Sequence, residues 1–170
     1  MNLMDINSLS DYFRKATEIL PKGAFLTTHD GEKTNTMTIG WGSFGFEWGM
    51  PVAEVMIRKS RFSKIAADKN LEFTLTFPYD ESMKQALAYC GSHSGRDTDK
   101  IAECNLNLIS AKAVTTPVVA CKGLVFECKV IARTEMTPSL ADSAILDKWY
   151  KNGDLHTFYY ASIEACYELN

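Results

Sequence analysis

The apolar positions change period along the chain, and each change marks an element. In "SLSDYFRKATEIL" Leu9, Tyr12, Phe13, Ala16, Ile19 and Leu20 recur at helical spacing, which predicts an amphipathic helix closed by Pro21. "GAFLTTHDGEKTNTMTIGW" predicts two strands joined by a turn at Asp30-Gly31. "VAEVMIRK" alternates, with Val55 and Ile57 on one side and Glu54, Met56 and Arg58 on the other. "RFSKIAADKN" predicts a short helix, "LEFTLTFP" another alternating strand and "ESMKQALAYC" a second amphipathic helix. The polar loop "GSHSGRDTDK" follows, then a helical turn at "KIAECNL". β-Branched and aromatic residues return in "LISAKAV", "VVACKGLVFECKVIART" and "HTFYYASIEACYEL", with one more helix, "SLADSAILDKWY", among them.

Several strands with scattered short helices do not make the regular alternation of a doubly wound sheet. They predict a mainly β fold, an antiparallel barrel of about six or more strands with peripheral helices, which also removes exposed edges. No repeat, linker or low-complexity tract interrupts the pattern, so residues 1–170 are expected to form a single domain.

One short motif argues for a different fold. Gly40, Gly42 and Gly45 in "TIGWGSFGF" spell G-x-G-x-x-G, the spacing of a dinucleotide loop. That loop needs a helix at its end and an acidic residue about 20 positions on. Here Gly49 and Pro51 would break the helix, and the later stretch, "IRKSRFS", is basic. The glycines are better read as barrel-strand positions, where Gly marks a bend, a bulge or bare backbone against a ligand.

Composition narrows the classes. The chain is 46% hydrophobic and 23% charged, ordinary for a globular protein. A formal net charge of -3 argues against non-specific nucleic-acid binding. No apolar run approaches the roughly 18 residues of a membrane span, and "MNLMDINSLSDYF" lacks the pattern of a secretory signal. Cys90, Cys104, Cys121, Cys128 and Cys166 are odd in number and without a C-x-x-C pair, which suits reduced thiols and a cytoplasmic location. Cys90 lies three residues before His93, but catalytic pairs meet through the fold and not through adjacency, so a structural thiol is expected. His29, His93 and His156 have no metal-ligand spacing and are expected as surface or hydrogen-bonded residues.

Two polar clusters carry candidate chemistry. In "IRKSRFSKI" Arg58 ends a strand and Ser60 stands at an N-cap position, with the helix expected from about Arg61. Arg58, Lys59, Arg61 and Lys64 bring positive charge to a helix N-terminus that already repels it. That favours a bound anion, and a phosphate monoester suits the arrangement; the alternative is a capped helix with solvated basic residues. The second cluster, "SHSGRDTDK", is either a charge-balanced surface turn or the border of a ligand site.

Taken in order, "NTMTIGWG", "IRKSRFSKIAADKNLEFTLTFP", "CGSHSGRDTDK" and "HTFYYASI" resemble the flavin reductase-like family of FMN-binding split barrels, which includes flavoredoxin and NAD(P)H:FMN oxidoreductases. The resemblance covers about Pro21 to Ile163. It implies an antiparallel split β-barrel in which Asn35, Thr36, Met37, Thr38, Ile39, Gly40 and Trp41 lie along the flavin ring and ribityl chain. It implies that Arg58, Ser60, Arg61, Phe62 and Ser63 hold the phosphate, and that Ser94, Gly95, Arg96, Asp97 and Lys100 border the cofactor. A homodimer and a flavin reductase activity with NAD(P)H as transient substrate are implied as well. The other readings are a flavoredoxin-like electron carrier that serves a protein acceptor, and a non-flavin barrel with another phosphate ligand. Where relatives often carry Gly-Glu in the last strand this chain has Ala161-Ser162, which leaves the contribution of that strand and of His156 open.

Overall fold

The computed structural model describes residues 6–170. Residues 1–5, part of the stretch inspected for a secretory signal, lie outside the described residues. Helix α1 spans Ile6–Ile19 and runs into a 3-10 turn at Leu20–Lys22. Strands β1 (Ala24–His29), β2 (Thr34–Ile39), β3 (Gly42–Glu47) and β4 (Met50–Arg58) follow, then α2 (Ser63–Asn70) and β5 (Glu72–Pro78). Next come α3 (Lys84–Ser92), α4 (Lys100–Glu103), the two-residue strands β6 (Leu108–Ile109) and β7 (Val118–Val119), and β8 (Gly123–Glu135). Helix α5 (Ser143–Trp149) precedes the long β9 (His156–Leu169).

Seven strands form one sheet in the order β2-β1-β5-β8-β9-β4-β3, with every ladder antiparallel. Its two edge strands, β2 and β3, are consecutive in sequence and are joined only by Gly40 and Trp41. Three Cα steps reach about 11 Å at most. The edges of a seven-stranded sheet can come that close only if the sheet curls back on itself. The result is a split barrel whose seam opens beside the Gly40-Trp41 link. Two register shifts between β8 and β9, at Glu127/Cys128 and Val130/Ala132, add the local bend that such curling needs.

The barrel interior is filled by Leu26, Phe73, Leu75, Phe77, Phe126 and Tyr159, all fully buried. Helix α1 closes one end: Phe13 packs on Phe44 at 5.9 Å and on Phe126 at 6.1 Å between ring centroids. A second cluster outside the sheet, Phe25, Cys90, Leu106 and Val119, seats α3 against β1. Both faces of β1 are therefore covered, and this explains the unbroken burial of Ala24 to Thr28.

Local chemistry accounts for the turns. Asp30 closes the β1–β2 hairpin by accepting from the backbone N–H of Glu32 and Lys33 at 3.0 and 2.8 Å. The β3–β4 hairpin turns on Trp48 and Gly49, both with positive φ (48° and 76°), as a two-residue turn of type I′ requires. Pro51, read above as a helix breaker, pairs with Phe46 in this hairpin. A Cβ on Gly42 would lie 2.7 Å from the Glu54 carbonyl oxygen, so that glycine serves strand packing, whereas Gly45 has open space around it.

Some expectations need correction. Helix α2 starts at Ser63 with Phe62 at its N-cap, so Ser60 does not cap it. The strand expected over "LISAKAV" shrinks to Leu108–Ile109, because the backbone after it folds onto a buried carboxylate, Glu127. The helix expected over "SLADSAILDKWY" becomes a 3-10 turn at Pro138–Leu140 and then α5, capped by Asp142, which accepts from Ala144 N–H at 2.8 Å.

Candidate functional site

As an edge strand, β2 has alternate backbone N–H and C=O groups with no strand partner along its outer side. A cleft of about 370 Å³ opens there, bordered by Met37, Thr38, Ile39, Gly40 and Trp41 on one wall and by Met56, Arg58 and His156 on the other. Gly91, at the end of α3, completes it. Thr38 turns its hydroxyl to the Leu87 carbonyl at 2.6 Å, which ties β2 to α3 and fixes the cleft wall.

A second cavity of about 170 Å³ adjoins the first and shares Met37, Ser60 and Arg61 with it. Its floor is polar and buried: Asn35, Ser63 and Lys100 are 5%, 1% and 3% exposed. The Asn35 amide donates to the Ser63 hydroxyl at 2.7 Å. Its rim carries Phe62, His93, Ser94, Gly95 and Arg96. Gly95 is packed so tightly that a Cβ would overlap Asn35 Oδ1 at 2.1 Å and Phe62 at 2.7 Å. This glycine is required by close approach to the cavity wall.

The cations in and around the two cavities share one pattern. Arg61 donates to the Gly91 carbonyl at 2.9 Å, Arg96 to Ser60 at 2.8 Å, Lys100 to Cys90 at 3.2 Å and Lys33 to Gly95 at 2.7 Å. Arg58 donates to the carbonyls of Asp154 and Trp149 at 2.7 and 3.0 Å. Among the described residues, none of these five cations forms an ion pair with a carboxylate. Burial, and after it the charge of Arg58, lowers the pKa of Arg61. Burial, aided by Arg61, brings Lys100 down to about 8. Arg61 and Lys100, held by neutral carbonyls and opposed by their own desolvation, favour an anionic ligand.

Two of the four basic residues singled out above leave the site. Lys59 pairs with Glu135 at 2.7 Å and Lys64 with Asp68 at 2.6 Å. Arg58 lines the larger cleft and not the anion cavity, with its guanidinium 5.0 Å from the Tyr150 ring. Ser60 gives its hydroxyl and its N–H to Asp154 at 2.6 and 3.1 Å.

Of the expected residues, Thr36 and Asp97 line neither cavity. Thr36 is fully buried and bonds Thr27 and the Leu26 carbonyl, on the face of the sheet that Phe25 and Thr38 turn toward α3, while Asp97 is exposed. The sequence reading missed Met56 and Gly91 and left His156 open. His156 lies 5.6 Å from Trp41 between ring centroids, with Nδ1 2.6 Å from the Tyr150 hydroxyl. Burial and then Arg58 bring its pKa down to about 4, so it is neutral near pH 7. Ala161 and Ser162 lie further along β9 and line neither cavity. Cys90 is buried, and burial with Cys104 beside it pushes its thiol up to about 12, which leaves no thiolate for His93 to serve. His93 stacks on Tyr89 at 3.8 Å instead.

A cleft along an open strand edge adjoins a cavity whose cations lack carboxylate partners, an arrangement that suits a planar ring bearing a terminal phosphate. The chain belongs to the flavin reductase-like family: residues 20–168 match the flavin reductase like domain. No curated protein matches it. Among solved structures, flavoredoxin from Methanosarcina acetivorans is 24% identical with a TM-score of 0.68, over 86% of this chain and 67% of that one. An FMN-binding protein from Thermus thermophilus, solved with 1-cyclohex-2-enone, is 20% identical with a TM-score of 0.67, over 86% and 69%. The NADH:FAD oxidoreductase of Streptomyces globisporus C-1027 is 14% identical with a TM-score of 0.66, over 99% and 87%. These likenesses place the fold. The two cavities fit FMN: Met37, Ile39, Gly40, Trp41 and Met56 offer apolar contacts and bare backbone to a ring, and the unpaired cations offer charge to its phosphate.

Proposed function

We propose that this protein is an FMN-dependent oxidoreductase acting as a flavin reductase, with NAD(P)H as transient hydride donor. The observation that carries this reading is the pairing of an open-edged cleft with an anion cavity whose cations lack carboxylate partners. Bound FMN supplies a ring that accepts a hydride at N5. The chain's own groups bind and orient. Arg61, Lys100, Ser63 and Asn35 hold the phosphate end; the backbone of β2 and the side chains of Met37 and Met56 position the ring. His156, neutral near pH 7 and hydrogen-bonded through Nδ1 to Tyr150, borders the cleft without adding charge; where Tyr150 donates in that bond, the imidazole proton is on Nε2. No described group in the cleft is set as a nucleophile, and hydride transfer needs none.

The test follows NADH and NADPH oxidation by purified protein supplied with excess FMN. Many turnovers of free FMN are expected. A protein that retains one FMN but reduces no free flavin is an electron carrier of the flavoredoxin kind, and the reductase reading fails.

Lys100 gives a pH test of the phosphate assignment. An amine at about 8 is charged below that pH and loses its proton above it. Bound phosphate raises the amine's pKa, so the FMN affinity gained from Lys100 is full below about pH 8 and is lost as pH rises past it. Riboflavin, without phosphate, should show no such fall. In Lys100→Met the difference between the two flavins should become flat with pH; if the slope survives, another group is titrating.

We further propose a two-fold homodimer. Phe46 and Trp48 are 65% and 64% exposed on the β3–β4 hairpin, and β3 is a sheet edge. Large exposed aromatics on an unpaired edge suit an interface core. Light scattering at micromolar concentration should give twice the chain mass, and Trp48→Lys should shift it to the monomer. A wild-type monomer would end this proposal.

A further inference from the structure

The anion cavity has a buried floor and an exposed mouth, and one side chain crosses that mouth. Asn35, Ser63 and Lys100 form the floor, all buried. Ser60 and Arg96, both exposed, stand on opposite walls: Ser60 in the turn after β4, Arg96 in the loop between α3 and α4. Arg96 Nη1 donates to the Ser60 carbonyl at 2.8 Å and so joins the two walls on the solvent side. Its guanidinium also lies 5.7 Å from the centre of the Phe62 ring. Lys33 reinforces the loop from the β2 side. Its amine donates to the Gly95 carbonyl at 2.7 Å and lies 5.1 Å from the same ring. Gly95, with no room for a Cβ, seats the loop directly on Asn35 and Phe62.

We infer that Arg96 is a specificity-determining strap that closes the phosphate cavity over a terminal phosphomonoester and so selects FMN against flavin dinucleotide; this rests on the flavin reading proposed above. The two flavins share the ring, the ribityl chain and the first phosphate. They differ in what leaves that phosphate. FMN ends there, with close to two negative charges that Arg96 meets at the rim. In FAD the phosphate carries one charge and continues into a second phosphate and adenosine, which must pass through the mouth that Arg96 spans. Passage requires the Arg96–Ser60 bond to break and the loop to lift from Phe62. The same bond retards release of bound FMN, because the phosphate is enclosed between floor and strap.

The test measures binding of FMN, FAD and riboflavin to apo-protein, together with the FMN release rate, for wild type, Arg96→Ala and Lys33→Ala. Both substituted residues are exposed, and Lys33 lines neither cavity, so its substitution loosens the loop without removing a group from the wall. In wild type, FMN should bind at least about tenfold tighter than FAD, the worth of one charge-assisted hydrogen bond. Arg96→Ala should bind FAD as tightly as wild type or tighter while releasing FMN about tenfold faster. Lys33→Ala should move both quantities the same way by less. Riboflavin should be unaffected throughout. Parallel weakening of FMN and FAD in Arg96→Ala would overturn the strap and leave Arg96 only a source of charge. Equal wild-type affinity for FMN and FAD would overturn selection while leaving the flavin reading intact. Wild type that binds no flavin would overturn both.

Discussion

Arg61→Ala is expected to weaken FMN binding by about 10- to 150-fold while leaving riboflavin binding unchanged. A hydrogen bond to a charged partner is worth about 1.5–3 kcal/mol, and about 1.4 kcal/mol is tenfold in affinity. Arg61 has a special position among the basic residues, because it borders both cavities and its orientation is fixed by the Gly91 carbonyl at 2.9 Å. The bond to Gly91 also defines the failure mode. If Arg61 serves mainly to hold the end of α3, its removal disturbs the ring cleft as well, and riboflavin weakens with FMN. Ser63→Ala should cost less, about 1 kcal/mol, since its hydroxyl is neutral. Titration of flavin fluorescence with apo-protein reads all of these.

Glu127→Ala should destabilise the protein by about 3 kcal/mol or more, through three orphaned donors, a large share of the roughly 5–15 kcal/mol that holds a domain folded. Glu127 is fully buried at the centre of β8. One carboxylate oxygen accepts from Lys112 N–H at 2.8 Å and from the Tyr167 hydroxyl at 2.7 Å. The other accepts from Lys112 N–H at 3.0 Å and Ala113 N–H at 2.5 Å. Truncation leaves these donors facing a cavity with no acceptor, and each orphaned donor costs about 1–3 kcal/mol. Glu127→Gln should fall between, because one amide oxygen still accepts while its NH2 opposes N–H groups. Urea denaturation measures the loss. A change below about 1 kcal/mol would mean that water replaces the carboxylate and that the 110–117 loop is held by other contacts.

The strands and the anion cavity were legible in the sequence to different depths. Alternation in "VAEVMIRK" and "LEFTLTFP" fixed β4 and β5 almost to the residue, because each strand has one face toward the barrel interior. "LISAKAV" misled, since β-branched residues there serve a loop whose course is set by Glu127, a residue more than ten positions away. Of the basic cluster, Arg61 alone borders the cavity that Asn35, Ser63 and Lys100 floor. Spacing along the chain could not show that Lys59 and Lys64 find carboxylates on β8 and α2, nor that Arg96 and Lys100 arrive from another segment to line the cavity. Met56 was visible as a member of the outward face of β4 together with Arg58, and that shared face was the signal for its place in the cleft. His156 had no such signal, because its neighbours Trp41 and Tyr150 meet it only through the fold.

The seam of the barrel has a consequence for motion. Five of the seven strands are paired on both sides, and only β2 and β3 are paired on one. The softest deformation of such a sheet is a spreading of those two edges about the Gly40-Trp41 link, because it breaks no ladder. The ring cleft lies along one of the edges and includes the link itself. Entry and departure of a planar ligand would then follow the same coordinate as that spreading. A ligand seated there would oppose that spreading, and by reciprocity any contact that holds the edges together would strengthen the ligand's binding.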